Sequence, residues 1–413
     1  MSDLGMTSKK ENIIDILMIN IIPILFLVAI GIYHYGWRIY IYFMIEVPVF
    51  LFVAIKMLID YKKYCNPITC TFLVSMIITA IITLIYDRCD IHLSNLFHGP
   101  HVWAENSHMM FFIGYYIMEN YRDKIIIITQ RLSIIIFASI IYAYVDFVRV
   151  GIGVGYRSQG FFNNPIPATT IWLMGIWLPI FIDSENKSRK ELILKIFYLP
   201  PIFFSMERNA WLGFIFIMLV AFIKYRSIVI PKLKNISKKV VVGICLVFGS
   251  LVALFHNMLY DILAYRLSNL LELKSVKQRL DYWLYTLEQI RSFSIWESIF
   301  GKGWDSSRDM LLESPIYYEG YPMIDNAYLT SLYEYGLLRI ILVFIIFFIA
   351  FLMLKKEEKS IHSIAIISCL VPSVFYDSNL CLTPMVLVSS FIGFLCSQYV
   401  SLKYKKEKNS FIN

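Results

Sequence analysis

Three arginines and one acid–amide pair are the residues of this chain best suited to chemistry. Arg157 lies in Gly151-Ile-Gly-Val-Gly155-Tyr-Arg157-Ser-Gln-Gly160-Phe-Phe-Asn163-Asn164-Pro165, Arg208 in Ser205-Met-Glu207-Arg208-Asn209, and Arg279 in Lys277-Gln-Arg279-Leu280-Asp281-Tyr282-Trp283. A guanidinium stays charged at any biological pH and forks onto phosphate oxygens, so several together suit a pyrophosphate group. Taken singly, each also fits an arginine that snorkels to a membrane surface. Glu207 is the nearest counter-ion for Arg208. Asp325 stands directly before Asn326-Ala-Tyr328-Leu329. A carboxylate placed there can accept a proton from an attacking hydroxyl, although an Asp-Asn pair also serves as a helix N-cap. Glu334 and Asp281 are the reserve bases. Glu46, two residues before Pro48 in an apolar run, is an ionisable group inside what reads as a membrane span, and such groups are functional candidates by default.

Other patterns lead away from familiar chemistry. The glycines of 151–160 follow no strand and open no βαβ unit, so they are not a nucleotide loop; they let the backbone turn at a helix end and approach a ligand. His92, His98, His101 and His108 crowd one connection, at a spacing that matches no zinc pattern. No G-x-S-x-G elbow, H-E-x-x-H or Asp-x-Asp motif occurs, so catalysis is expected to be metal-free. The 7 cysteines are scattered without a C-x-x-C pair, which gives no disulfide framework.

The elements that must hold these residues are helices in a membrane. Of 413 residues 58% are hydrophobic and 16% charged, with a mean hydropathy of +0.63. About twelve apolar runs are long enough to cross a hydrocarbon core: 13–33, 39–59, 66–86, 103–119, 132–150, 165–183, 191–206, 209–224, 240–258, 336–354, 361–377 and 379–400. The fourth is the weakest, with Glu105 and His108 at its start, and the seventh and eighth form a tight hairpin around Glu207-Arg208. A spanning segment must satisfy its own backbone groups, so the fold class is all-α, a polytopic membrane helix bundle in one domain, 1–413. Lys and Arg gather in alternate connections and at both ends (Lys9-Lys10 and Lys403 to Lys408). The positive-inside rule then places both termini in the cytoplasm and the one long polar connection, 259–325, outside. The net charge of +8 is mostly this topology signal, and no nucleic-acid-binding motif accompanies it. Within the long connection, Val276, Leu280, Trp283, Leu284, Leu287 and Ile290 recur at helical spacing, which predicts an interfacial helix with its tryptophan toward the membrane.

In order and placement these motifs resemble the O-antigen polymerase and ligase family of bacterial inner membranes. The likeness covers roughly residues 150–355. It rests on Arg157-Ser-Gln-Gly-Phe-Phe-Asn163-Asn-Pro before a span, on Ser205-Met-Glu-Arg208-Asn-Ala, and on Arg279-Leu-Asp-Tyr-Trp283. Ile299-Phe-Gly301-Lys-Gly303-Trp follows, then Asp325-Asn326-Ala-Tyr-Leu329 through Glu334-Tyr-Gly336. Two departures stand out. Ligases commonly carry histidine where this chain has Asp325, which leans the reading toward polymerase, and Arg339 stands where the family often has a second glycine.

The resemblance implies an enzyme that joins lipid-linked oligosaccharide repeat units on the periplasmic face. Donor and acceptor would both ride on undecaprenyl pyrophosphate among membrane lipids, a chain-length regulator would be a protein partner, and no nucleic acid, cofactor or nucleotide sugar would be needed. Arg157, Arg208 and Arg279 would bind pyrophosphate, and Asp325 would be the general base with Glu334 in reserve. Asn163, Trp283, Gly301, Gly303 and Asn326 would shape the substrate loop. Two other readings stay open: a ligase with lipid A core as acceptor, and a flippase or transporter of lipid-linked oligosaccharide.

Overall fold

The computed structural model describes residues 12–85, 100–151, 157–162, 164–181, 187–205, 207–234, 256–257, 260–261, 264, 274–318, 321–355, 360–374 and 382–410. Among them there is no strand. The helices of six residues or more are α1 Ile13–Tyr35, α2 Tyr40–Ile59, α3 Pro67–Ile85, α4 Pro100–Asn120, α5 Ile125–Val150, α6 Pro165–Gly175, α7 Lys187–Ile196, α8 Leu199–Phe204 and α9 Arg208–Lys234, then α10 Lys274–Arg291, α11 Ile295–Phe300, α12 Ser306–Leu312, α13 Ala327–Leu354, α14 Ser360–Leu370 and α15 Leu382–Ser410. Five stretches are long and apolar enough to cross a membrane: Ile13–Ile32, Tyr40–Ile59, Arg122–Val150, Ala327–Leu354 and Leu382–Lys403. On α13, Leu337, Ile341, Phe344, Phe348 and Phe351 are all exposed. Their spacing gives one apolar stripe that the described residues leave exposed, a face suited to hydrocarbon.

The weakest expected span turns out to be the centre of the bundle. Every residue of α4 from His108 to Met118 is buried, so this helix meets protein on all sides and has no lipid face to advertise in its hydropathy. It runs against α15 with the backbones touching. A Cβ on Gly114 would strike the Ser390 carbonyl, and one on Gly393 would strike Phe111 O. Small residues allow such close approach, the usual basis of helix association where no hydrophobic force separates lipid from side chain. Phe26, Phe43, Phe111, Trp172, Phe391 and Phe394 fill the remaining core.

Several expected spans have other bounds in the structure: 132–150 starts at Ile125, 209–224 runs on to Lys234, and 361–377 is α-helical only from Ser360 to Leu370; in three more the reason is visible. The run 165–183 is helical only to Gly175, because the Lys195 ammonium caps its end, donating to Gly175 O at 2.7 Å and to Leu178 O; a cation at the carbonyl end replaces further helix. The run 191–206 is broken between α7 and α8, where Pro200 and Pro201 cannot continue a helical ladder. The run expected at 336–354 starts nine residues earlier, at Ala327, and contains a break at Gly336 (φ 66°, ψ −167°). The expected span 240–258 lies almost wholly outside the described residues, as does the connection up to residue 273.

Candidate functional site

The long polar connection folds on itself. Tyr282, Met310, Leu311, Ile324 and Tyr333 form a small second core, with Trp283, Ile290 and Phe293 packed on it. Tyr282 ties this core together: its hydroxyl donates to Tyr321 O at 3.0 Å and accepts from Tyr318 N at 2.9 Å. The Tyr318 hydroxyl donates to Asp281 Oδ2 at 2.6 Å, and that bond, strengthened by the Asp281 charge, pushes its pKa up. The expectation for Trp283 is corrected. Its indole N–H turns inward and donates to Ile324 O at 2.8 Å, since an indole donor removed from water needs an acceptor. Leu280, Leu284 and Leu287 are the exposed apolar side of α10 instead.

This folded segment is latched to α13 through glycines. The break at Gly336 frees carbonyls that an unbroken helix would use, and Lys302 N donates to Tyr333 O at 3.0 Å while Gly303 N donates to Glu334 O at 2.9 Å. The approach is so close that a Cβ on Gly301 would strike the Glu334 carbonyl, and one on Gly336 would strike that of Ile299. Both glycines also have positive φ, so no other residue satisfies either demand. At the base of the latch, Ser294 and Glu297 form a capping box on α11, and Lys302 lies 3.6 Å from Glu297. The Ser294 backbone N–H, with help from Lys302, holds the Glu297 carboxyl below its ordinary range.

At the start of α13 the acid–amide pair divides its labour. Asn326 is the N-cap, its side-chain oxygen accepting from Tyr328 N and Leu329 N, each at 3.0 Å. Asp325 takes the left-handed conformation, φ 54°, and its side chain turns away from the helix. Asp325 is 2% exposed, and its Oδ2 accepts from Arg279 Nε at 2.8 Å and from the Tyr321 hydroxyl at 2.5 Å. Burial, then the charge of Asp325, pushes the Tyr321 hydroxyl well up from its ordinary value. Both bonds fall on Oδ2, which leaves Oδ1 as the oxygen able to receive a substrate proton. Glu334, the reserve base, is 3% exposed and accepts from the Ser307 hydroxyl at 2.6 Å.

Asp325 and Glu334 face one cleft of about 340 Å³, whose wall also carries Trp304, Asp305, Arg308 and Thr330. Three carboxylates, a guanidinium and an indole around such a volume suit a hydroxyl-rich ligand. Carboxylates accept hydroxyl protons, and an aromatic face packs against the C–H side of a sugar ring. Sequence reading passed over Tyr321, Ser307, Asp305 and Arg308. Ser307 meets Glu334 only when the connection folds back on α13, whereas Asp305 and Arg308 pair three residues apart and Tyr321 bonds Asp325 four residues on, local spacings that the reading did not use.

The other expected residues sit elsewhere. Arg157 pairs with Glu207 and donates from Nε to Ser205 O at 3.3 Å, with Ser158 N bonded to Phe204 O at 3.0 Å. Glu207 therefore serves Arg157 across the chain turn before α9. Phe203 and Trp211 stack across that turn at 5.2 Å. The side chain of Arg208, all of Asn163, and His92, His98 and the His101 side chain lie outside the described residues. Among the described residues no hydrogen bond or ion pair links the Arg157 pair to the Arg279 pair. Glu46 is fully buried in α2. His108 meets Arg339, whose Nη1 lies 3.0 Å from its Nε2.

Compared with protein-family models and with curated proteins, the chain matches none.

Proposed function

We propose that this protein is a membrane-embedded glycosyltransferase that acts on lipid-linked oligosaccharides at its outer face. More particularly, we read it as an O-antigen polymerase of the bacterial inner membrane, with about twelve spans, cytoplasmic termini and residues 259–325 in the periplasm. The observation that carries the reading is the cleft where Asp325 and Glu334 meet Trp304, built by a folded polar segment latched to the start of a membrane helix. In the reaction, a hydroxyl of the acceptor sugar attacks the anomeric carbon of the donor glycan. A new C–O bond forms, the bond to the carrier's pyrophosphate oxygen breaks, and its electron pair leaves with undecaprenyl pyrophosphate. The hydroxyl proton passes to Asp325 Oδ1, with Glu334 the alternative acceptor. Arg308 is the guanidinium on the cleft wall able to meet charge developing on the leaving group, and Arg279 acts through Asp325, whose Oδ2 it holds. Arg157 and Arg208 enter as pyrophosphate ligands through the family resemblance alone.

The test is a gel of surface lipopolysaccharide from the source strain with the gene deleted, then complemented with wild type or Asp325→Asn. Collapse of the ladder to core plus a single repeat unit supports the reading, provided that Asp325→Asn accumulates normally and leaves the ladder collapsed. An unchanged ladder rejects it. Loss of every O-antigen band, the single unit included, points to ligase or flippase.

A further inference from the structure

Two of the cysteines meet at the turn between α2 and α3. Cys65 Sγ and Cys70 Sγ lie 3.6 Å apart, and both are free and exposed. Metal–sulfur bonds of about 2.3 Å let a single ion reach both sulfurs at that separation. Met57, on α2, lines the same cavity of about 260 Å³ as the two cysteines. Phe50, Leu73 and Phe112 are among its other walls, and none of the described side chains lining it is a carboxylate or an imidazole. Three sulfurs at one apolar cavity are a donor set of a single chemical kind.

A fully bonded turn holds the two thiols in place. Cys65 follows the helical turn Tyr61–Tyr64 in an extended conformation, φ −74° and ψ 103°, and its N–H donates to Tyr61 O at 2.7 Å. Asn66, which is buried, then caps α3. Its Oδ1 accepts from Ile68 N at 3.1 Å and Thr69 N at 3.2 Å, and its Nδ2 donates to Tyr64 O at 3.0 Å and to the Tyr115 hydroxyl of α4 at 2.9 Å. Pro67 opens the helix with its φ already fixed, and Cys70 N donates to Asn66 O at 3.0 Å. The Thr69 hydroxyl closes the turn from the other side, donating to Tyr64 O at 2.6 Å. The sulfurs are therefore positioned by the cap before any ion arrives, which spares binding the cost of ordering them.

We propose that Cys65, Cys70 and Met57 form a binding site for a soft monovalent metal ion of the copper(I) class. Thiolate and thioether sulfurs select such an ion. Zinc takes four ligands in a structural site, and among the described residues no three His, Cys, Asp or Glu side chains come together. Each thiol gives its proton to solvent as it binds, so one copper(I) exchanges for two protons and keeps its oxidation state. The site stands apart from the proposed glycosyl transfer. Its turn is tied to Asn120, the last residue of α4, through Lys63 Nζ at 2.7 Å and the Tyr64 hydroxyl at 3.0 Å, whereas Arg339 docks about three helical turns earlier, at His108.

The test is titration of copper(I) into the purified, reduced full-length protein in detergent, without oxygen, against the coloured copper(I) chelator bicinchoninate. Wild type should withdraw copper(I) from the chelator, and Cys65→Ser and Cys70→Ser should each lose one equivalent per chain. Met57→Leu should weaken that equivalent by about tenfold, the lower end of what losing a supporting group costs a metal site. Met44→Leu, at an exposed position of α2 outside the cavity, should bind as wild type does. A second readout needs no variant. Copper(I) should shield wild type from iodoacetamide at the tryptic peptide 64–88, which carries Cys65 and Cys70 and no other cysteine. Equal withdrawal by wild type and both cysteine variants overturns the proposal, as does alkylation of that peptide indifferent to the metal. Zinc that shields the peptide as tightly as copper(I) overturns the soft monovalent assignment, and unchanged binding by Met57→Leu overturns the three-sulfur site.

Discussion

Removing Arg279 should loosen the folded polar segment from α13 by a predictable amount. Arg279 Nε and Asp325 Oδ2 are 2.8 Å apart, with side chains 28% and 2% exposed. Arg279→Ala leaves a carboxylate shut from water with the Tyr321 hydroxyl as its remaining described partner. Breaking a fully buried pair this way costs about 3–5 kcal/mol. Solvent already reaches Arg279, which screens the pair, so about 2 kcal/mol is the working figure. Where a protease samples the opened segment, that free energy appears as population, and about 2 kcal/mol corresponds to a roughly 30-fold faster cleavage. The assay is limited chymotrypsin digestion of the detergent-solubilised protein, since the substitution removes a trypsin site but no aromatic one. Asp325→Asn should speed cleavage less, because it leaves a guanidinium that water can reach. The double variant should cleave more slowly than the product of the two single effects, by about 1 kcal/mol or more of coupling. Cleavage of Arg279→Ala within threefold of wild type, or strict additivity in the double variant, would refute the claim that this pair clamps the site.

Two further outcomes follow from the latch. Gly301→Ala and Gly336→Ala combine positive φ with a backbone clash and should each destabilise by about 3 kcal/mol or more. Gly151→Ala has positive φ but nothing within reach of the added methyl, and should cost only about 1 kcal/mol; equal thermal shifts for all three would sink the close-approach account. Glu297 has a depressed pKa, so its contribution is present above the ordinary carboxylate value and is lost as pH falls through the depressed one. Chymotrypsin resistance of wild type should therefore exceed that of Glu297→Gln near neutral pH and converge with it in acid. A difference that persists unchanged at low pH would show that the capping-box charge is not its source.

Several of these features were legible in the chain. The apolar runs at 13–33, 39–59 and 379–400 became α1, α2 and α15 because hydrocarbon length and backbone satisfaction leave little choice. Asp325 and Glu334 could be named from their place beside Asn326 and Gly336, and the structure brings both to one cleft. Other features were not legible. The end of α6 depends on Lys195, whose carbonyl partners are 20 and 17 residues away, and the break between α7 and α8 on two prolines inside an otherwise apolar run. The orientation of Trp283 also escaped: helical spacing groups it with Leu280, Leu284 and Leu287, and only the fold supplies the Ile324 carbonyl that draws its indole N–H inward.

What the sequence determined by itself was which segments are helical and apolar. Hydrophobic length is a local property, and it marks the helices long and apolar enough to cross a membrane. Only the tertiary structure decided which charges meet. Arg279 lies 46 residues from Asp325, Ser307 lies 27 from Glu334, and His108 lies 231 from Arg339. Such pairings carry no periodic signal, because they are selected by the free-energy cost of burying an unmatched polar group, and that cost exists only once the chain has closed around it.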